Sequence, residues 1–449
     1  MFTYLKLKNF KSFRDVTIDL QGKKNEVKNL AIIYGANGSG KSSIAHAFLT
    51  LEKTLSTMKL TDMLKELLEN RDSVSENLRI KPELVLELIK DKFANNTIEK
   101  IISECKMIGS EELMTLEYGF SINGAVGSYL MEFDNSDIVK ERLEYKLHKN
   151  RGCYFDIEDG KVNINTNIFE SLEFLEEMRK QIQMYWGKHS FLSILKYQIE
   201  EKSGAYINSN ISTNLMNVIL EFDNISYRIR NGNSYETISL PVDNPILRNL
   251  EGGEVDKTYE DSLDEIEGVI NNFFTSLFDD VNKAYYRRLE KNGKINYTLF
   301  FNKQIENYKY DIDFQYESSG TQEILELVPY LMMAISGACV IIDEFGIGIH
   351  DLLVTRLINA VAKNLKGQLI ITTHNTLIMD QADIKPESLY FVINDKTFSK
   401  SIRCVTEIEE RLHPNYNYRN RYFNNELYAG GLPKGREKID FTELEKLFT

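Results

Sequence analysis

The run Gly35-Ala36-Asn37-Gly38-Ser39-Gly40-Lys41-Ser42-Ser43 holds the residue types and spacing needed to grip phosphate. It follows the apolar stretch Leu30-Ala31-Ile32-Ile33-Tyr34 and leads into Ile44-Ala45-His46-Ala47-Phe48-Leu49, which predicts a strand before it and a helix after it. G-x-x-x-x-G-K-S between a strand and a helix is a phosphate-cradling pattern. The glycines let the backbone turn its N–H groups inward. Lys41 brings charge to the outer phosphates, Ser42 offers a hydroxyl to Mg²⁺, and the helix N-terminus adds its dipole. A plain Gly/Ser turn before a helix explains neither Lys41 nor Ser42. The pattern implies a nucleoside triphosphate with Mg²⁺.

Three further groups carry chemistry. Cys339-Val340-Ile341-Ile342 is an apolar strand that ends in Asp343-Glu344. Two acids at the end of a buried strand need a reason, because an unpaired buried charge is costly. Beside a phosphate loop, Asp343 can bind Mg²⁺ and Glu344 can polarise the water that attacks the γ-phosphate. Leu369-Ile370-Ile371-Thr372-Thr373-His374 is a second apolar strand, ending where His374 can hydrogen-bond a γ-phosphate oxygen. Glu317-Ser318-Ser319-Gly320-Thr321-Gln322 precedes an apolar helix, Ile324 to Ala334. Its small residues can hold phosphate or simply cap the helix.

The elements that must position these groups alternate along the chain. Leu5/Leu7 and Val16/Ile18/Leu20 predict two half-buried strands, joined by Asn9 to Arg14. Residues 51–108 are expected to be helical, with Leu60, Met63, Leu64, Leu67 and Leu68 on one face. Leu116/Tyr118/Phe120, Tyr129/Met131/Phe133 and Leu143/Tyr145/Leu147, with turns at Asn123-Gly124 and Asp159-Gly160, predict an antiparallel meander over 113–165. Helical spacing returns at Leu172, Leu175, Met178 and Ile182, and again from Leu263 through Ile266, Ile270, Phe273, Leu277 and Val281 to Tyr285. Residues 203–260 are mixed, 294–301 and 308–316 strand-like, and 403–449 a basic, aromatic and irregular tail.

A net charge of −13 over 449 residues disfavours a surface coated for nucleic acid, although a local basic groove stays open. Four well-separated cysteines with no C-x-x-C pair fit a reducing compartment rather than a zinc site or a disulfide framework. No stretch reaches the ~20 apolar residues of a membrane span. A cytoplasmic protein with no membrane contact is expected.

Together these motifs resemble the ABC-type ATPase heads of the SMC/RecF-like group. Leu7-Lys8-Asn9-Phe10-Lys11-Ser12-Phe13 resembles that group's opening strand and loop. Gly35 to Ser42 matches its Walker A motif and Asp343-Glu344 its Walker B. Ser318-Ser319-Gly320 stands at its signature, Phe345 to Asp351 at its D-loop, and His374 at its switch histidine. The spellings Glu317 to Gln322, Ile371 to Asn375 and Asn417-Tyr418-Arg419-Asn420-Arg421-Tyr422-Phe423 are similar to the AAA-labelled ATPases of bacterial anti-phage and abortive-infection systems.

The resemblance implies an α/β P-loop fold, an ABC-type head of mixed sheet plus antiparallel meander with an inserted, mainly helical lobe. The head would be 1–50, 111–165 and 291–402, the inserted segments 51–110 and 166–290, and the tail 403–449. It implies ATP and Mg²⁺ as cofactors. Gly35 to Ser43 and Ser318, Ser319 and Gly320 would bind nucleotide, Ser42 and Asp343 the metal, and Glu344 and His374 would be catalytic. It also implies two copies that sandwich ATP, each signature completing its partner's site, and ATP hydrolysis that gates a separate nuclease or toxin. Two alternatives stand beside this reading: a RecF-like DNA repair ATPase, and an ATP-bound scaffold without turnover. The sequence departs from the family at the D-loop, which lacks an aspartate before His350, and at the Q-loop, for which Gln181 and Gln183 are the candidates. The stretch after His374 is shorter than the TOPRIM nuclease domain of some relatives, so the effector is expected on another chain.

Overall fold

Leu5 and Leu7 bury one face of β1 (Phe2–Phe10), which pairs antiparallel with β2 (Phe13–Asp19). In the computed structural model, which describes residues 1–22, 26–69, 96–231, 234–239, 242–394, 399–408 and 417–424, these strands open a seven-stranded antiparallel sheet. The other five strands are β4 (Met114–Ile122), β5 (Ala125–Phe133), β6 (Ile138–Lys146), β7 (Arg151–Glu158) and β8 (Lys161–Ile164), in the order β2-β1-β4-β5-β6-β7-β8. β3 (Leu30–Tyr34) leads through the phosphate loop into α1 (Lys41–Glu69), and α2 (Ile98–Cys105) follows. Of the helical stretch expected over 51–108, residues 70–95 lie outside the described residues, as do the side chains of Leu67 and Leu68. Met63, expected on one face with Leu60 and Leu64, is 42% exposed.

After the meander come α3 (Leu172–Tyr185), α4 (Phe191–Glu201), α5 (Gly204–Asn210) and α6 (Thr213–Asp223). Ser171, Ser190, Ser203 and Ser212 cap them in turn, each accepting a bond from a backbone N–H in the first turn. Residues 225–239, expected within the inserted helical segment, are instead strands β9 (Ile225–Asn231) and β10 (Ser234–Ser239) of the central sheet. The reason is legible in Ile225, Tyr227 and Ile229, which alternate with Ser226, Arg228 and Arg230 and bury one face.

The central sheet runs β10-β9-β15-β16-β3-β17-β18, with β15 (Cys339–Ile342), β16 (Gln368–Thr372), β17 (Leu389–Asn394) and β18 (Lys400–Cys404). β9, β15, β16, β3 and β17 are parallel, and the outer strands are antiparallel. Its middle is buried on both faces, which is why β3, β15 and β16 read as unbroken apolar runs. Ala31, Ile33 and Ile341 pack with α1 and the antiparallel sheet. Leu30, Ile32, Val340 and Ile342 pack with α9 (Ser319–Ser336) and α10 (Asp351–Asn364) on the other side.

Between α6 and α9 the chain forms the short helix α7 (Pro245–Arg248), β11 (Gly252–Asp256), α8 (Glu260–Leu277), β12 (Val281–Lys291), β13 (Lys294–Ile305) and β14 (Tyr308–Asp313). The helical spacing predicted through Tyr285 is corrected here. α8 stops at Leu277, and Val281 to Lys291 pair with β13. Val281 and Tyr285 satisfy both a four-residue and a two-residue period, and the long ladder decides for strand. The tail is partly regular: β18 leads into α11 (Val405–Ile408), and α12 (Tyr418–Phe423) places Tyr422 against Tyr34 and Phe391. The rest of the tail lies outside the described residues. The parallel core, the phosphate loop after its β3 strand and the antiparallel sheet across α1 make this an ABC-type P-loop head.

Candidate functional site

The phosphate loop leaves β3 at Gly35 and closes on α1 at Lys41. Gly38 and Gly40 have φ of 72° and 112°, conformations that a Cβ disfavours. Gly40 is also crowded: a Cβ there would lie 2.8 Å from the Phe13 ring and 2.8 Å from Ser12 Oγ. The β1–β2 turn therefore sits directly on the phosphate loop. Gly35 is as tight, since a Cβ would fall 2.6 Å from Ser39 Oγ. Lys41 is 6% exposed, and its ammonium donates to the carbonyls of Gly35 (2.9 Å) and Ala36 (3.1 Å). Burial lowers its pKa, opposed by the charges of Asp343 and Glu344. The hydroxyls of Ser39 and Ser12 are buried and, among the described residues, without a hydrogen-bond partner.

Asp343 follows β15 and is 2% exposed. Its carboxylate accepts a bond from Thr372 Oγ1, and the Ser42 hydroxyl lies close enough to favour its charged form. Burial raises its pKa, against the pull of those hydroxyls and of Lys41. Glu344 turns away at φ 55°, a left-handed conformation costly for a side-chain-bearing residue. Its backbone N–H donates to Thr372 Oγ1 at 2.8 Å, and its Oε2 accepts from Arg230 Nη1 at 2.9 Å. Thr372, at the end of β16, thus ties both acids to the neighbouring strand. His374 lies two residues on. Loss of solvent lowers its pKa first, Lys41 lowers it further, and Glu344 acts the other way. Glu344, His374, Thr373, Asn375 and Asp351 border one pocket of about 250 Å³. The structure brings together Lys41, Ser42, Asp343, Glu344 and His374 at the carboxyl ends of β3, β15 and β16.

Ser318 caps α9, its Oγ accepting from Thr321 N at 3.2 Å. Gly320 faces the 345–350 loop, where a Cβ would lie 2.8 Å from Gly348 O. Gly320, one residue into the helix that Ser318 caps and Ser319 opens, therefore adjoins the loop that follows Glu344. Gln181 and Gln183 lie inside α3, not at a strand-to-helix junction.

Residues 1–379 match the family described as AAA ATPase domain. The chain belongs to this family. No curated protein matches it. Among solved structures, the SMC head domain from Thermotoga maritima is 17% identical, with a TM-score of 0.38, covering 90% of this chain and 98% of its own. The Smc head domain with an extended coiled coil bound to the C-terminal domain of ScpA, derived from Pyrococcus furiosus, is 13% identical, with a TM-score of 0.35, covering 90% and 95%.

The residues of this AAA ATPase domain fit a magnesium nucleotide. Two unpartnered buried hydroxyls, a cradle that Cβ atoms would fill and a buried lysine surround one loop. Among the described residues no three His, Cys, Asp or Glu side chains cluster as a metal site. A pair such as Ser42 and Asp343 suits Mg²⁺, which completes its shell with phosphate and water oxygens. No motif singles out Arg230, Lys400 (whose Nζ donates to Gly38 O at 2.9 Å) or the double role of Thr372. Arg230 was signalled only by the alternation of β9. Cys105, Cys153, Cys339 and Cys404 are all unpaired. No described helix is long and apolar enough to cross a membrane.

Proposed function

We propose that this AAA ATPase domain protein hydrolyses ATP to ADP and phosphate, and that two copies closing on ATP gate a separate effector, a nuclease or toxin, in a bacterial anti-phage system. The observation that carries the catalytic part is the convergence of Lys41, Ser42, Asp343, Glu344 and His374 at adjacent strand ends. Lys41 and the loop N–H groups hold the β- and γ-phosphates. Ser42 and Asp343 would hold Mg²⁺, which would supply positive charge against the phosphates. Glu344 accepts a proton from the attacking water as the bond between the γ-phosphorus and its bridging oxygen breaks. His374 donates to the γ-phosphate. The effector part is supported by the spelling of Glu317–Gln322, Ile371–Asn375 and Asn417–Phe423.

Calorimetry and phosphate release test the catalytic part. Lys41→Ala is expected to lose ATP binding, and Glu344→Gln to keep binding and lose turnover; equal ATP affinity in Lys41→Ala and the unaltered chain would sink it. The effector part is tested by expressing the chain with and without its neighbouring gene products. Toxicity or nucleic-acid cleavage should need a neighbour and vanish with Lys41→Ala. Cleavage by the purified chain alone that survives Glu344→Gln would refute it.

A further inference from the structure

β9 carries two arginines on one face, because Arg228 and Arg230 are two residues apart in a strand. The parallel register pairs Ile342 with Arg228, which brings Glu344 alongside Arg230. Arg228 is 2% exposed and donates to Glu323 and Glu326, both on α9. This buried pairing anchors β9 to the helix that Ser318 caps. From that fixed strand, Arg230 Nη1 reaches Glu344 Oε2 at 2.9 Å, with both side chains about one-third exposed.

The backbone of Glu344 has little freedom. It sits at φ 55°, with its N–H bonded to Thr372 Oγ1 and the N–H of Phe345 bonded to Thr372 O at 2.8 Å. The direction of its carboxylate is therefore set by side-chain torsions and by whatever holds its oxygens. A carboxylate oxygen that accepts a charge-assisted bond is held toward its donor, which fixes where the remaining acceptor sites of the group can point. We propose that Arg230 is a positioning residue that restrains Glu344 and that this contact must loosen before each hydrolytic step. The inference rests on Glu344 being the base.

The full-length chain with Arg230→Gln, Arg230→Lys, Glu344→Gln and the double substitution Arg230→Gln/Glu344→Gln tests this. Steady-state hydrolysis, ATP calorimetry and melting temperature are measured for each. Because the pair is partly exposed, Arg230→Gln is expected to raise kcat only about two- to five-fold, at unchanged ATP affinity. Arg230→Lys, keeping the charge without the guanidinium fork, should raise it less. The double substitution should be as inactive as Glu344→Gln. A kcat that falls or stays unchanged in Arg230→Gln, with Glu344→Gln inactive, would overturn this inference alone. Full turnover by Glu344→Gln would overturn the base assignment and the inference together. A gain in kcat that comes with altered ATP affinity would mark a merely structural role for Arg230 and overturn the inference.

Discussion

Lys41 shows how one side chain links the protonation of this site to its ligand. Burial lowers its pKa from the ordinary 10.5, and two loop carbonyls hold the ammonium. A triphosphate in the loop adds negative charge beside it and raises that pKa again. ATP binding should therefore take up protons on the alkaline side, in the window between the lowered pKa and the ordinary value. Above pH about 8 the phosphate's own titration, near 6, is over and does not interfere. Calorimetry at alkaline pH in two buffers of different ionisation enthalpy measures the uptake, and it should shrink as the pH falls below that window. Proton release, or uptake that does not vary with pH, would contradict the role given to Lys41. The lysine was legible in the sequence because its pattern is local: strand, glycines, Lys, Ser. Arg230 was not, because its partner Glu344 lies 114 residues away and only the sheet brings them together.

Among the elements, the phosphate loop and the β1–β2 turn act as one piece. Phe13 and Ser12 press on Gly40, while Gly38 has open space around the position of a Cβ. Both glycines have positive φ, so an alanine at either costs about 1–2 kcal/mol in the backbone. Only Gly40→Ala adds overpacking, worth about 1–3 kcal/mol more. Gly40→Ala should therefore lower the melting temperature more than Gly38→Ala and weaken ATP binding more. Equal losses would mean that the turn yields freely and does not shape the loop. The same contrast explains what the sequence could not say about the elements. Glycines announce their own conformation. Val281 and Tyr285 fit a helix and a strand equally, and only pairing with β13 makes Val281–Lys291 a strand. Ile225 to Arg230 alternate clearly, yet nothing local tells that they join the sheet of the phosphate loop beside β15.

At the scale of the whole molecule, the question is what Ser318 and Gly320 are for. Within one chain Ser318 caps α9 and Gly320 touches the loop after Glu344. A cap alone is worth about 1 kcal/mol and does not require a glycine two residues on. A helix N-terminus facing a second copy can instead hold that copy's γ-phosphate, and two-fold symmetry then completes both sites at once. Exposed Ile347, within the loop that Gly320 meets, and Leu352, just after it, would be covered by such a contact. In that arrangement Lys41→Ala would remove the phosphate grip of a chain's own site, whereas Ser318→Arg would spoil what the chain lends its partner. Each variant alone should be inactive, and Ser318→Arg should still bind ATP. Mixed in equal amounts and allowed to exchange, half the pairs contain one of each, and each such pair has one intact site. The mixture should recover about a quarter of full activity if the two sites work independently. Subunit exchange is followed by mass photometry on one tagged variant. Exchange without any recovery would show that the signature serves its own chain, or that both sites must fire together. A linked dimer carrying Glu344→Gln in one half separates the two: activity near half of the unaltered linked dimer would leave service to its own chain as the explanation and defeat the composite site.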